Sequence, residues 1–134
     1  DLSPRRKLFA RLLTHAISRL LDHKKYDVLY EIPVISDLKI EQCPDVVICK
    51  TGERLVPVSA IELLSNEDLS ELFNIAKKIL TSSTLDEFFI YNYDMDEWYY
   101  IRRNMTQFEK GSASLINELD LSVCVDSIFN HSYY

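Results

Sequence analysis

The stretch CPDVVICKTGERLVPVSAIELLS, residues 43–65, decides how the rest of the chain is read. It holds two apolar runs, VVIC and VSAIELL, with a turn at Thr51, Gly52 and Glu53 between them. Their β-branched density and the short polar break predict two strands, about 43–50 and 54–64. Each run carries one acid where an apolar residue is expected, Asp45 in the first and Glu62 in the second. A carboxylate on a buried strand is costly unless it is paired or binds a metal. Side chains alternate along a strand, so Asp45 shares a face with Cys43, Val47 and Cys49, and Glu62 shares one with Ala60 and Leu64.

Working outward, DVLYEIPVIS (27–36) reads as a preceding strand with Glu31 in its middle, bent or near an edge at Pro33. Short connections make the three strands a meander. Upstream, Ser3 and Pro4 open a helix whose apolar face includes Leu8, Phe9, Leu13, Ile17 and Leu21. Beside that face runs a ladder of Lys7, Arg11, His15 and Arg19, either a solvated flank or an edge facing phosphate. Downstream, NEDLSELFNIAKKIL (66–80) is a helix, capped by Ser65 or Asn66, with acids in its first turn and Lys77 and Lys78 near its end. EFFIYNY and EWYYIRR around Asp94, Met95 and Asp96 carry the signature of a hairpin. The tail combines a short extended piece with a final turn or helix near 123–129.

At 134 residues, 47% of them apolar and only two of them glycine, the chain is expected to be a single globular domain over 1–134. It has no apolar run of membrane-spanning length and no visible signal peptide. Three cysteines without CxxC spacing fit a reduced cytoplasm, with Cys43 and Cys49 as small buried residues. The net charge of −6 conceals an asymmetry: residues 1–25 hold seven Lys/Arg against two acids. An acidic whole disfavours indiscriminate nucleic-acid binding, whereas a basic first helix beside an acidic site allows local contact with phosphate.

If the two acid-bearing strands are neighbours, Asp45 and Glu62 converge on one side and offer oxygen ligands to Mg²⁺ or Mn²⁺, with Glu31 as a third donor. A hard cation held this way binds a phosphate oxygen and activates water for phosphodiester hydrolysis. The alternative is purely structural: Asp45 caps the entry to its strand and Glu62 pairs with a nearby lysine. Spacing alone does not separate the two.

The segments YEIPV, PDVVIC, AIELLS, EFFIYNYDMDEWYYI and LINELDLSVCVDSIF, in that order, resemble the Uma family of endonucleases. That family is a branch of the restriction-endonuclease-like PD-(D/E)xK superfamily, and the resemblance covers nearly the whole chain. It implies an α/β, restriction-endonuclease-like fold, a central mixed sheet of about five strands flanked by helices. It also implies that Asp45 and Glu62 bind the divalent metal with help from Glu31, that DNA is the substrate, and that the protein is a homodimer. The superfamily signature ends in a lysine two residues after the glutamate, and here that position is Leu64. The Uma branch takes its lysine from the following helix, where this chain offers Lys77 and Lys78, to orient the attacking water or stabilise phosphate charge.

The leading expectation is a metal-dependent DNA endonuclease. The others are a nuclease-derived domain without catalysis that binds nucleic acid or protein, and a dimeric interaction protein using the hairpin around Trp98, Tyr99 and Tyr100.

Overall fold

The computed structural model describes residues 3–30, 44–65 and 68–131. Along the chain come α1 (Pro4–Leu20), β1 (Tyr26–Tyr30), β2 (Val46–Lys50), β3 (Val56–Leu64), α2 (Leu69–Ser82), β4 (Glu87–Asn92), β5 (Glu97–Arg102), β6 (Glu109–Lys110) and α3 (Leu121–His131). The strands form one sheet in sequence order, antiparallel throughout except for the parallel pair β3–β4. The α/β class, the mixed sheet and the aromatic hairpin are as expected, and so is the three-strand meander over the described residues; positions 31–36 of its first strand and Cys43 lie outside them. The sheet has six strands rather than about five because the two-residue β6 pairs with β5 at Tyr99 and Tyr100.

Parallel neighbours need a crossover connection, and α2 supplies it between β3 and β4. The clusters on the two faces follow the alternation of the strands. Val46, Ile48, Ile61, Leu63, Phe89 and Tyr91 pack with Leu13 and Ile17 of α1 and with Leu121, Cys124 and Val125 of α3. Val47, Cys49, Ala60, Leu64, Phe88 and Ile90 pack with Ala76, Ile79 and Leu80 of α2.

Local chemistry sets the helix boundaries. The Ser3 hydroxyl accepts the Arg6 N–H at 3.1 Å, and Pro4 occupies the first helical position. The N-cap of α2 is Asp68 rather than Ser65 or Asn66. Its carboxylate accepts N–H groups of Ser70 at 2.9 Å and Glu71 at 3.4 Å, which satisfies two orphan donors at once. These bonds, with the Ser70 hydroxyl first, hold its carboxyl below the usual range.

The β2–β3 register shifts at Ile48 and Cys49, opposite Pro57. A proline inside a paired strand is accommodated by such a bulge. At the other end the ladder stops at Val46, because the preceding residues are Pro44, which has no N–H, and Asp45.

Trp98 stacks on Tyr91 with centroids 4.4 Å apart, Tyr99 meets Phe73 edge-on, and Tyr100 packs against Phe89. The hairpin aromatics proposed as an intermolecular contact surface are therefore engaged within the fold, with Trp98 buried and Tyr99 and Tyr100 half-buried. Among the described residues, no helix is long and apolar enough to cross a membrane.

Candidate active site

Asp45 immediately precedes β2 and Glu62 lies near the end of β3. Both sit at the carboxyl end of the parallel β3–β4 pair, where open α/β sheets commonly bind ligands. The termination of the β2–β3 ladder is what frees Asp45 for this role. Its Oδ2 accepts the Leu63 N–H at 2.7 Å, taking the place of the next backbone rung. In return, Glu62 Oε1 accepts the Asp45 N–H at 3.2 Å. Each acid is thus anchored by the other's strand, and the carboxylates converge as the spacing allowed.

The cation between them is Arg6, from the first turn of α1. Its Nη2 lies 2.9 Å from Asp45 Oδ2 and 3.2 Å from Glu62 Oε1, and its Nε lies 3.3 and 3.2 Å from the two Asp45 oxygens. The Asp45 side chain is only 4% exposed and that of Arg6 15%, so these are largely desolvated, charge-assisted contacts. Neighbouring contacts fix the start of α1 here: Arg5 pairs with Asp94 at 3.0 Å and lies over the Tyr93 ring, and Phe9 stacks on Tyr93.

Electrostatically the site is short of positive charge. The Glu62 carboxyl is pushed well above its ordinary value, chiefly by burial and further by its hydrogen bond to Asp45 and the like charge there. Arg6 opposes that shift without cancelling it.

The lysines expected to complete the site stand on α2. Lys77 and Lys78 lie in the later turns of α2, about 12–14 Å along the helix axis from its start. Just past that helix the Thr84 hydroxyl bonds to the Pro57 carbonyl, near the beginning of β3 and away from Glu62. The superfamily's lysine position, Leu64, is 2% exposed within the apolar layer under α2. Glu31 lies outside the described residues. Among the described residues, no group of three or more His, Cys, Asp or Glu is arranged to hold a metal. The ladder of Lys7, Arg11, His15 and Arg19 is exposed along its whole length.

The donor chemistry of the pair suits a hard divalent cation. Buried Asp45 and half-buried Glu62 supply carboxylate oxygens, and Mg²⁺ is commonly held by one or two carboxylates with water and substrate phosphate completing its shell. The position between those oxygens is the one Arg6 Nη2 fills.

Sequence reading missed Arg6, although a signal was present. A positive charge in a helix's first turn opposes the macrodipole by about 0.3–1 kcal/mol. The first turn of α1 holds Arg5, Arg6 and Lys7 and no acid. Such a cluster needs anionic partners from elsewhere in the fold.

No protein-family model matches the sequence, and comparison with curated proteins gives no match. Among solved structures, the chain is similar to a protein of Anabaena variabilis ATCC 29413 described as "a putative nuclease belonging to DUF820". The TM-score is 0.58 at 11% identity, over 90% of this chain and 78% of the other. At that identity the likeness speaks for architecture alone: the chain has an α/β, restriction-endonuclease-like fold.

Proposed function

We propose that this protein is a Mg²⁺- or Mn²⁺-dependent endonuclease that hydrolyses phosphodiester bonds in DNA, within the Uma branch of the PD-(D/E)xK superfamily. The observation that supports it best is the convergence of Asp45 and Glu62 on one guanidinium at the end of a nuclease-type sheet. Two like charges are brought together there at an electrostatic cost that a purely structural arrangement does not need.

When bound, a divalent cation would supply Lewis-acid polarisation of the phosphate and an activated water. Asp45 and Glu62 would hold it, with Glu31 as a further donor. The Leu63 N–H holds the Asp45 carboxylate in place at the end of the sheet. Lys77 or Lys78 remains the proposed lysine of the site. A cytoplasmic location suits the free Cys49 and Cys124, and a homodimer follows from the same family reading.

The test is Mn²⁺ titration by calorimetry followed by cleavage of supercoiled plasmid. Wild type should bind and nick, and Asp45→Ala and Glu62→Ala should lose both properties. Absence of metal binding in wild type would sink the proposal.

A second reading is favoured by one specific observation. Arg6 already neutralises part of the pair, and the lysines of α2 lie toward its far end. On that reading the domain is a nuclease relative without catalysis that binds nucleic acid or a protein partner. Metal binding without cleavage of any DNA form is its expected result.

A further inference from the structure

The contacts of Arg6 define more than an ion pair, because they place a cation at the point a metal would occupy. A divalent ion held by the Asp45 and Glu62 carboxylates would compete for the oxygens that the guanidinium already contacts. Arg6 Nη2 touches Asp45 Oδ2 and Glu62 Oε1, at 2.9 and 3.2 Å. The two cations would compete for the same acceptors, and in a site this little exposed their charges would also repel. Occupation by one therefore opposes occupation by the other.

The fold permits the exchange. Arg6 stands on the first turn of α1, whose neighbours Pro4 and Arg5 are exposed, so rotation of a long side chain can vacate the site. Arg5 on Asp94 and Phe9 on Tyr93 and Tyr91 keep the helix seated meanwhile.

We infer that Arg6 is a built-in occupant of the acid pair that must withdraw before a divalent cation binds, so that the first turn of α1 gates the site. This rests on the metal-binding reading above and adds a specific cost to it. Apparent affinity for the metal is reduced by the fraction of molecules in which Arg6 has withdrawn. A guanidinium seated in about nine molecules in ten would correspond, on its removal, to binding about tenfold tighter.

The experiment pairs two measurements on the full chain at pH 8. Calorimetry with Mn²⁺ compares wild type, Arg6→Gln and Asp45→Asn. NMR follows the Arg6 Nε–H of ¹⁵N-labelled wild type during titration with Mg²⁺. The expected result is about tenfold or tighter binding by Arg6→Gln, none by Asp45→Asn, and an Nε–H signal that loses its protection as Mg²⁺ saturates. Equal affinity in wild type and Arg6→Gln, with an unchanged Nε–H at saturation, would overturn the gate and leave metal binding intact. No binding by wild type and Arg6→Gln alike would overturn the metal-binding reading and the gate with it. Should Arg6→Gln fail to fold, the wild-type NMR titration decides alone.

Discussion

Two acids, half-buried Glu62 on β3 and buried Glu87 on β4, lie three residues apart in the register of the parallel pair, about 10 Å along the strands. Their surroundings differ in a way that separates structure from function. Glu87 is fully buried, yet its Oε2 accepts the Ser59 hydroxyl at 2.6 Å and the Ser114 hydroxyl as well, while Arg102 Nε stands 3.7 Å from Oε1. Arg102 is itself held over the Tyr100 ring and bonded to the Ala113 carbonyl at 2.7 Å. One acid there meets one cation and two neutral donors. At the other site two acids share Arg6, and Glu62 resists ionisation. The Glu87 cluster is balanced and ties β3, β4, β5 and the Ser114 segment together. The Asp45–Glu62 pair retains capacity for more positive charge.

The sharpest way to break this contrast is to remove the cation from the unbalanced end. Arg6→Ala leaves the buried Asp45 and half-buried Glu62 carboxylates without their shared cation, and loss of one partner from a buried pair costs about 3–5 kcal/mol. Urea denaturation in EDTA should show a loss near the lower end of that range, because Glu62 can take up a proton instead. Added Mn²⁺ should restore much of the stability by mass action. A loss unchanged by Mn²⁺ would mean that the pair has no use for a divalent ion.

At the balanced end, Glu87→Ala removes the acceptor of the Ser59 and Ser114 hydroxyls and the counter-charge of Arg102. The expected loss is about 2–3 kcal/mol, and no divalent ion should recover it. The 3.7 Å separation from Arg102 exceeds hydrogen-bond range, which keeps the figure below that of a tightly bonded pair. Rescue of Glu87→Ala by Mn²⁺ would erase the distinction between the two ends.

Much of this was legible in the chain. The runs at VVIC and VSAIELL revealed themselves by β-branched density, and Asp45 and Glu62 stood out because their neighbours are apolar. Arg6 was hidden because its partner Asp45 is 39 residues away and helix periodicity says nothing about such pairing. Glu87 heads EFFIYNY, where an acid reads as the exposed start of a strand. Its burial depends on Ser59 and Ser114, 28 and 27 residues distant. The cap of α2 was misplaced because Ser65, Asn66 and Asp68 are all good N-caps, and only the backbone shows whose oxygen reaches two orphan N–H groups.

A smaller effect distinguishes the acids by pH. Raised in the folded state, the Glu62 carboxyl contributes stability that is fully present below the ordinary carboxylate range and is lost as pH rises through its folded value. In EDTA, wild type should therefore lose stability relative to Glu62→Gln as pH rises above the ordinary carboxylate range. Glu62→Gln itself should match or exceed wild type at the upper end, since it keeps a hydrogen-bonding side chain while removing the like charge. Parallel pH profiles for the two proteins would mean that the carboxylates are not in electrostatic conflict.

The smallest effect is a rate rather than a stability. Burial first, then Asp27 for Cys49 and Asp120 for Cys124, pushes both thiols up to about 11, so little thiolate exists at pH 8. Alkylation followed site by site with mass spectrometry should be slow at both in native protein and fast in denaturant. The two thiols also report on different parts of the fold. Cys49 lies on β2, which the acid pair fastens to β3, and Cys124 lies on α3, whose first residue Leu121 is bonded to the Ser112 carbonyl beside Ser114. If the unbalanced end is the weaker, Cys49 should react faster than Cys124 in EDTA, Arg6→Ala should widen that gap, and Mn²⁺ should narrow it. Equal rates in all three conditions would place the opening of the fold elsewhere, and the charge imbalance would then be a property of the site without consequence for the strand that carries it.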